Sequence, residues 1–308
     1  MSSKNKQPKV QYRFGIVEWY GRSFIHLSPA ERRIYVSLSR AQQKEQPCIP
    51  RLAENPNERC NKKGGVCSLR LFQMSGQTVS PVSGLDGALR TSCPNRFKEE
   101  MKVFHWVGET ILDTPDPIII KEIGFLEKPR ELVEGRGRKD DVGRIDMVLV
   151  HPDTRVFSWC ALEMQAVYFS GDAMGKDFGY IARYDGNDLP FPAGKRRPDY
   201  RSSGPKRLMP QLQIKVPTLR RWGKKMAVII DRSFFDEIGQ MDRVKDISHC
   251  DIAWFVVKYE EKGTKVILEP DFVSFTTLEK TVEGLTGGTP VSLGEFERRI
   301  KRKLGKKS

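Results

Sequence analysis

Asp146 and Glu163 are the residues of this chain whose type and setting most suggest chemistry, because each is a carboxylate inside an otherwise apolar run, GRIDMVLVHP and RVFSWCALEMQAVYF. In the second run Phe157, Trp159, Ala161 and Val167 alternate with Cys160, Leu162, Met164 and Ala166. A segment apolar on both faces reads as a buried central strand. Glu163 and, two residues on, Gln165 then point to one face. An unpaired buried carboxylate is costly or shifts its pKa, so a partner is expected, and a divalent cation is the obvious one. Asp146 opens the preceding apolar run, and HPDTR reads as the turn between the two strands. Neighbouring strands lie about 5 Å apart, so Asp146 and Glu163 can share one ion if the register brings them level. Hard oxygen ligands in an incomplete shell favour magnesium, which keeps waters and accepts phosphate oxygen. Such an ion activates water and stabilises charge on a phosphodiester in hydrolysis. Gln165 would orient water or phosphate and cannot serve as a base. Glu122, in IIIKEIGFLE, is a third acid within a strand-like run and a candidate to complete or support the shell. The non-catalytic alternatives are a turn cap for Asp146, an ion pair of Glu163 with an arginine such as Arg144, and an edge-strand charge for Glu122.

Four of the six cysteines, Cys48, Cys60, Cys67 and Cys93, lie close together, while Cys160 and Cys250 are far downstream. Eleven, six and twenty-five residues separate the four, unlike the paired knuckles of common zinc modules. A local group of four thiols in a reducing compartment is better explained by metal than by disulfides. Zinc is the default for a closed tetrahedral thiolate site, and iron accepts the same geometry. The chain from Cys48 to Cys93 is rich in Pro, Gly, Asn and Ser. It is expected to lack a core of its own and to need bound metal as a staple. Arg59, Lys62, Lys63 and Arg70 within it are candidate phosphate contacts, which gives the region a structural and DNA-positioning role.

These sites need elements to hold them. The spacing predicts a helix over Pro29 to Gln43, capped by Ser28, and an amphipathic helix over Asn95 to Ile111. Strands follow at PIIIKEIGFLE, GRIDMVLVHP and RVFSWCALEMQAVYF. RLMPQLQIKVPTLRRWG reads as a helix with Pro210 and Pro217 at its start or at a kink. KMAVIID and IAWFVVKYE are further strands, and LGEFERRIKRKL is a closing helix. The fold class is therefore α/β, a mixed central sheet flanked by helices, with a small metal-stabilised N-terminal region. The division falls near residue 95, giving residues 1–95 with the four-cysteine site and residues 96–308 as the catalytic core.

Lys and Arg number 53 against 39 Asp and Glu, a formal charge of +14. Such an excess self-repels unless a polyanion, most often nucleic acid, is the partner. Basic clusters stand at Lys195 to Arg197, at Lys206 and Arg207, at Arg220 to Lys225 and in the terminal ERRIKRKLGKKS. No run of about 18 apolar residues could span a bilayer, and the basic start lacks an apolar secretory core, so a cytoplasmic protein is expected.

GRIDMVLV followed by ALEMQAVYFSG resembles the NotI-type restriction endonucleases, a branch of the PD-(D/E)xK nucleases in which glutamine replaces the usual lysine. The likeness covers the core from about residue 118 to 231 and, through the four cysteines, the N-terminal part. It implies a restriction-endonuclease-like core with Asp146, Glu163 and Gln165 as catalytic residues and Glu122 in a supporting place. Ile145 stands where the superfamily label has proline. The resemblance further implies a single iron ion on Cys48, Cys60, Cys67 and Cys93, and a GC-rich palindromic target. The leading expectation is thus a magnesium-dependent type II restriction endonuclease acting on double-stranded DNA as a homodimer, so that two active sites meet two strands. A repair or junction-resolving nuclease with this core and a non-catalytic, metal-stabilised DNA-binding protein are the alternatives.

Overall fold

The computed structural model describes residues 10–41, 46–127, 141–153, 155–287 and 291–305. The far end of the predicted first helix, Thr154 of the HPDTR turn and the last three residues of the basic tail lie outside them.

The chain begins with strand β1 (Gln11–Trp19), the short β2 (Arg22–Ser23) and helix α1 (Pro29–Ala41). Ser28 and Glu31 cap α1 reciprocally: the Ser28 hydroxyl accepts from the Glu31 amide, and the Glu31 carboxylate accepts from the Ser28 amide. Strands β3 (Val66–Ser75), β4 (Thr78–Pro81) and β5 (Arg90–Thr91) complete an antiparallel N-terminal sheet ordered β2-β1-β3-β4, with β5 beside β3. The cysteine-bearing segment is therefore not coreless. Its Cys48, Cys60, Val66 and Leu69 join a cluster with Trp19, Tyr20, Phe24 and Val36, closed by Phe178 and Ile181 from much later in the chain. Trp19 stacks on Phe178 at 5.1 Å. The apolar anchors lie outside the segment, which is why its own composition hides them.

The predicted helix at Asn95–Ile111 is broken. A 3-10 stretch (Pro94–Met101) precedes helix α2 (Lys102–Val107) and a π-helical turn (Gly108–Leu112). Glu100 and Met101 adopt left-handed backbone, φ 50° and 62°, and interrupt the helical hydrogen bonds. Buried Arg96 directs this corner. It pairs with Glu18 of β1 at 2.7 Å and donates to the Val266 carbonyl, clamping the N-terminal sheet to the core.

Strands β6 (Ile118–Glu127), β7 (Asp141–Val150) and β8 (Trp159–Met164) follow. β8 is shorter than the sequence suggested, because the chain from Arg155 to Ser158 turns. A small ribbon of β9 (Phe169–Gly171) and β10 (Arg196–Pro198) flanks helix α3 (Gly175–Ile181). Next come α4 (Tyr200–Ser203), α5 (Met209–Arg221), β11 (Met226–Asp231), α6 (Arg232–Glu237), β12 (Ile252–Lys262), β13 (Lys265–Thr276), α7 (Leu278–Thr286) and α8 (Leu293–Leu304). Pro210 falls in the first turn of α5, and Pro217 sits within it on the exposed side.

The central sheet is mixed, ordered β13-β12-β11-β8-β7-β6, with β8, β11 and β12 mutually parallel and the other neighbours antiparallel. Both faces are covered. Phe97, Phe104 and Val107 pack on Leu149, Leu162 and Phe255 on one side. Leu212, Val216 and Leu219 of α5 pack on Ala161, Val228 and Trp254 on the other. This is the α/β arrangement expected from the alternating strand and helix patterns. Among the described residues no helix is long and apolar enough to cross a membrane.

Candidate active site

The register of three strands organises the acids. Met147 of β7 faces Leu162 of β8, which puts Asp146 and Glu163 next in line and level. Lys121 and Ile123 of β6 face Met147 and Ile145, so Glu122 lies across from Asp146 in the same row. Strand alternation then sorts the side chains. Glu163 shares its face with Ala161 and is paired in register with Val228, both on the α5 side, so it points toward that helix.

Glu163 is buried, and burial pushes its carboxyl pKa up to about 7, an effect that Lys215 opposes only in part and Asp146 reinforces. Asp146 is 59% exposed and opens to solvent. The Gln165 amide donates to the Ala166 carbonyl at 2.6 Å, and its backbone amide to Ile229. Glu122 differs. Its backbone is left-handed, φ 55°, which breaks the strand alternation, and its side chain is 77% exposed beside Arg144 at 3.8 Å. Asp146, Glu163 and Gln165 line one cleft of about 930 Å³, and Glu122 is not among its lining residues.

Lys215 was missed from sequence. Its Nζ donates to Glu163 Oε2 at 2.8 Å and to Gln211 Oε1 at 3.1 Å, and stands 3.8 Å from Asp146 Oδ2. The signal was present. Leu212, Val216 and Leu219 form the buried stripe of α5, continued by Leu208 just before it, and position 215 belongs to that stripe. A single lysine on a core-facing stripe calls for a buried acid.

The cleft walls carry positive charge from distant parts of the chain. Lys62 and Lys63 come from the N-terminal region, and Lys206 and Arg207 from the turn before α5. Lys63, Lys206 and Arg207 are exposed, whereas Lys62 is tied to the Ser92 carbonyl. Two of the basic clusters are partly spent inside the fold. Arg196 is buried against Asp177 and donates to the Phe14 carbonyl, so only Lys195 and Arg197 of that triplet face solvent. Arg220 is held by Asp251 and Glu279, and Lys225 by the Ser248 and Cys250 carbonyls.

Cys48, Cys60, Cys67 and Cys93 are buried in one neighbourhood. Burial raises every one of these thiols, Cys48 to about 12, and Cys48, Cys60 and Cys67 are each raised further by Cys93. The Cys93 amide donates to the Cys67 carbonyl, and the Thr91 carbonyl accepts from Val167 just beyond Gln165. The cysteine region thereby abuts the chain just beyond the end of β8. Among the described residues no group of three or more His, Cys, Asp or Glu side chains is arranged to hold a metal ion.

The family model for restriction endonuclease NotI matches residues 33–267, about three quarters of the chain, and takes in the four cysteines, the acid pair and Lys215. No curated protein matched.

Proposed function

The chain belongs to the NotI restriction endonuclease family, and from that premise we propose that Asp146 and Glu163 form its hydrolytic centre, binding magnesium and cutting double-stranded DNA at a GC-rich palindrome as a homodimer. The observation that carries the reading is the level placement of the two carboxylates on adjacent strands, at the floor of a cleft with exposed lysine and arginine on its walls. Two oxygen donors suit an ion that retains waters and leaves room for phosphate. Bound there, magnesium would make a water more acidic and offset the charge of the pentacoordinate phosphorus.

The protein's own groups do the rest. Asp146, open to the cleft, and Glu163, whose Oε2 lies 2.8 Å from Lys215 Nζ, present their oxygens from the same side. The water oxygen would bond to phosphorus and pass its proton to the solvent that reaches exposed Asp146. The P–O ester bond opposite would break, and the departing oxygen would take a proton from solvent water. Gln165 has no proton-accepting role; its amide fixes the chain where β8 ends. Lys63, Lys206 and Arg207 hold backbone phosphates along the cleft, and arginine is also suited to bidentate reading of guanine.

As they stand the four cysteines are not arranged around an ion; we propose that Cys48, Cys60, Cys67 and Cys93 close on one structural iron or zinc ion when it is present. Support comes from their shared burial and mutual charge coupling, which a cation would relieve by taking them as thiolates. The role of that region is to set the wall carrying Lys63 against the catalytic strand.

Digestion of plasmid DNA with and without magnesium, followed by sequencing of the ends, tests the proposal. Discrete fragments that share one palindrome only with the ion present are expected. Absent or sequence-indifferent cutting would overturn it.

A further inference from the structure

We propose that Lys215 is a resident counter-ion of the acid pair that competes with the divalent ion and, once displaced, stays beside the scissile phosphate as a positioning residue. The inference rests on the assignment of Asp146 and Glu163 as the metal-binding pair. Lys215 Nζ, 2.8 Å from Glu163 Oε2 and 3.8 Å from Asp146 Oδ2, stands where an ion shared by those carboxylates would bind. Its side chain is only 7% exposed and rises from the apolar stripe of α5, where leucine or methionine would serve packing better. A buried ammonium there is costly unless it is matched by charge, and the charge it meets is that of the two acids. With Gln165 neutral, one ammonium stands against two carboxylates once Glu163 has lost its proton. The site therefore keeps an attraction for a second cation, yet the ammonium must give up Glu163 Oε2 to admit it. A four-carbon stem lets Nζ move aside without moving the helix.

Competition has a signature that packing lacks. Removing the ammonium takes away the rival for the carboxylates, so the ion binds more tightly. It also takes away a fixed positive charge next to the reacting phosphate, so the chemistry slows. A residue that served only to hold the fold together would weaken both.

The test uses the full chain and manganese, titrated calorimetrically without DNA, together with single-turnover cleavage at saturating magnesium. Lys215→Met should bind manganese about tenfold more tightly, the size of one weakly screened charge contact, and cleave about a hundredfold more slowly. Lys215→Arg should keep the wild-type manganese affinity. Unchanged or weaker manganese binding by Lys215→Met, or cleavage at the wild-type rate, would overturn the proposal. A second readout needs no variant: lysine acetylation of the wild-type protein, read by mass spectrometry, should spare Lys215 without metal and label it when calcium is added. Labelling that calcium does not change would also overturn it. Wild-type protein that shows the competition yet cuts no DNA would instead refute the nuclease assignment, and with it the place beside a scissile phosphate, and leave the competition for the acid pair standing.

Discussion

Divalent ion binding should tighten about tenfold between pH 6 and pH 8, because Glu163 must lose its proton to become a ligand. Burial raises its carboxyl to about 7, and Lys215 offsets that only in part. At pH 6 about one molecule in eleven would carry the carboxylate, and at pH 8 about ten in eleven. The dissociation constant should fall in the same proportion, with about half a proton released per ion at pH 7. Calorimetric titration of manganese into DNA-free protein, repeated in two buffers of different ionisation enthalpy, measures both quantities. Stability of the metal-free protein follows the same linkage. The folded state keeps a proton that an unfolded glutamate loses near pH 4.3, so stability falls as pH rises from about 4.3 to about 7. Glu163→Gln should abolish the pH slope of binding along with most of the affinity. A manganese affinity independent of pH between 6 and 8 would refute the assignment of a protonated, metal-accepting Glu163.

DNA affinity should fall steeply with salt, and neutralising Lys206 and Arg207 together should reduce the logarithmic slope by about 2; an unchanged slope would take that wall out of the DNA path. Arg196→Met should instead lower stability by about 3–5 kcal/mol in urea denaturation, because it strands the buried Asp177 carboxylate, and a loss below about 1 kcal/mol would contradict the buried pairing. Purified protein should carry about one iron or zinc per chain, and Cys60→Ser should lose it and make residues 48–93 susceptible to limited proteolysis. Native protein without bound metal, with all four thiols freely alkylated, would sink that site.

The adjacency of Asp146 and Glu163 was legible because two apolar runs, each interrupted by one acid and joined by a short turn, leave few registers for a buried pair. The sandwich of helices on a mixed sheet followed from the same alternation. Other features depended on distant contacts. Trp19 and Phe178 lie far apart in sequence, so the core beneath the cysteines could not be read from residues 48–93 alone. Arg196 reads from sequence as one member of a basic triplet, and only the fold brings Asp177 to it. The break at Glu100 and Met101 carries no glycine or proline to announce it. Glu122 sits in the right row, but its left-handed backbone turns it outward, which strand periodicity does not foresee. Lys215 was within reach of sequence reasoning, as a lone charge on the apolar stripe of α5.

The most direct test of the proposed catalytic pair compares Asp146→Ala and Glu163→Ala with the wild-type protein in two assays: magnesium-supported single-turnover cleavage and calcium-supported DNA binding. Both variants should cleave at least about a thousandfold more slowly, with DNA affinity within a few fold of wild type, since lysine and arginine supply most of the binding. Cleavage at the wild-type rate by either variant would contradict the account and move the active site elsewhere.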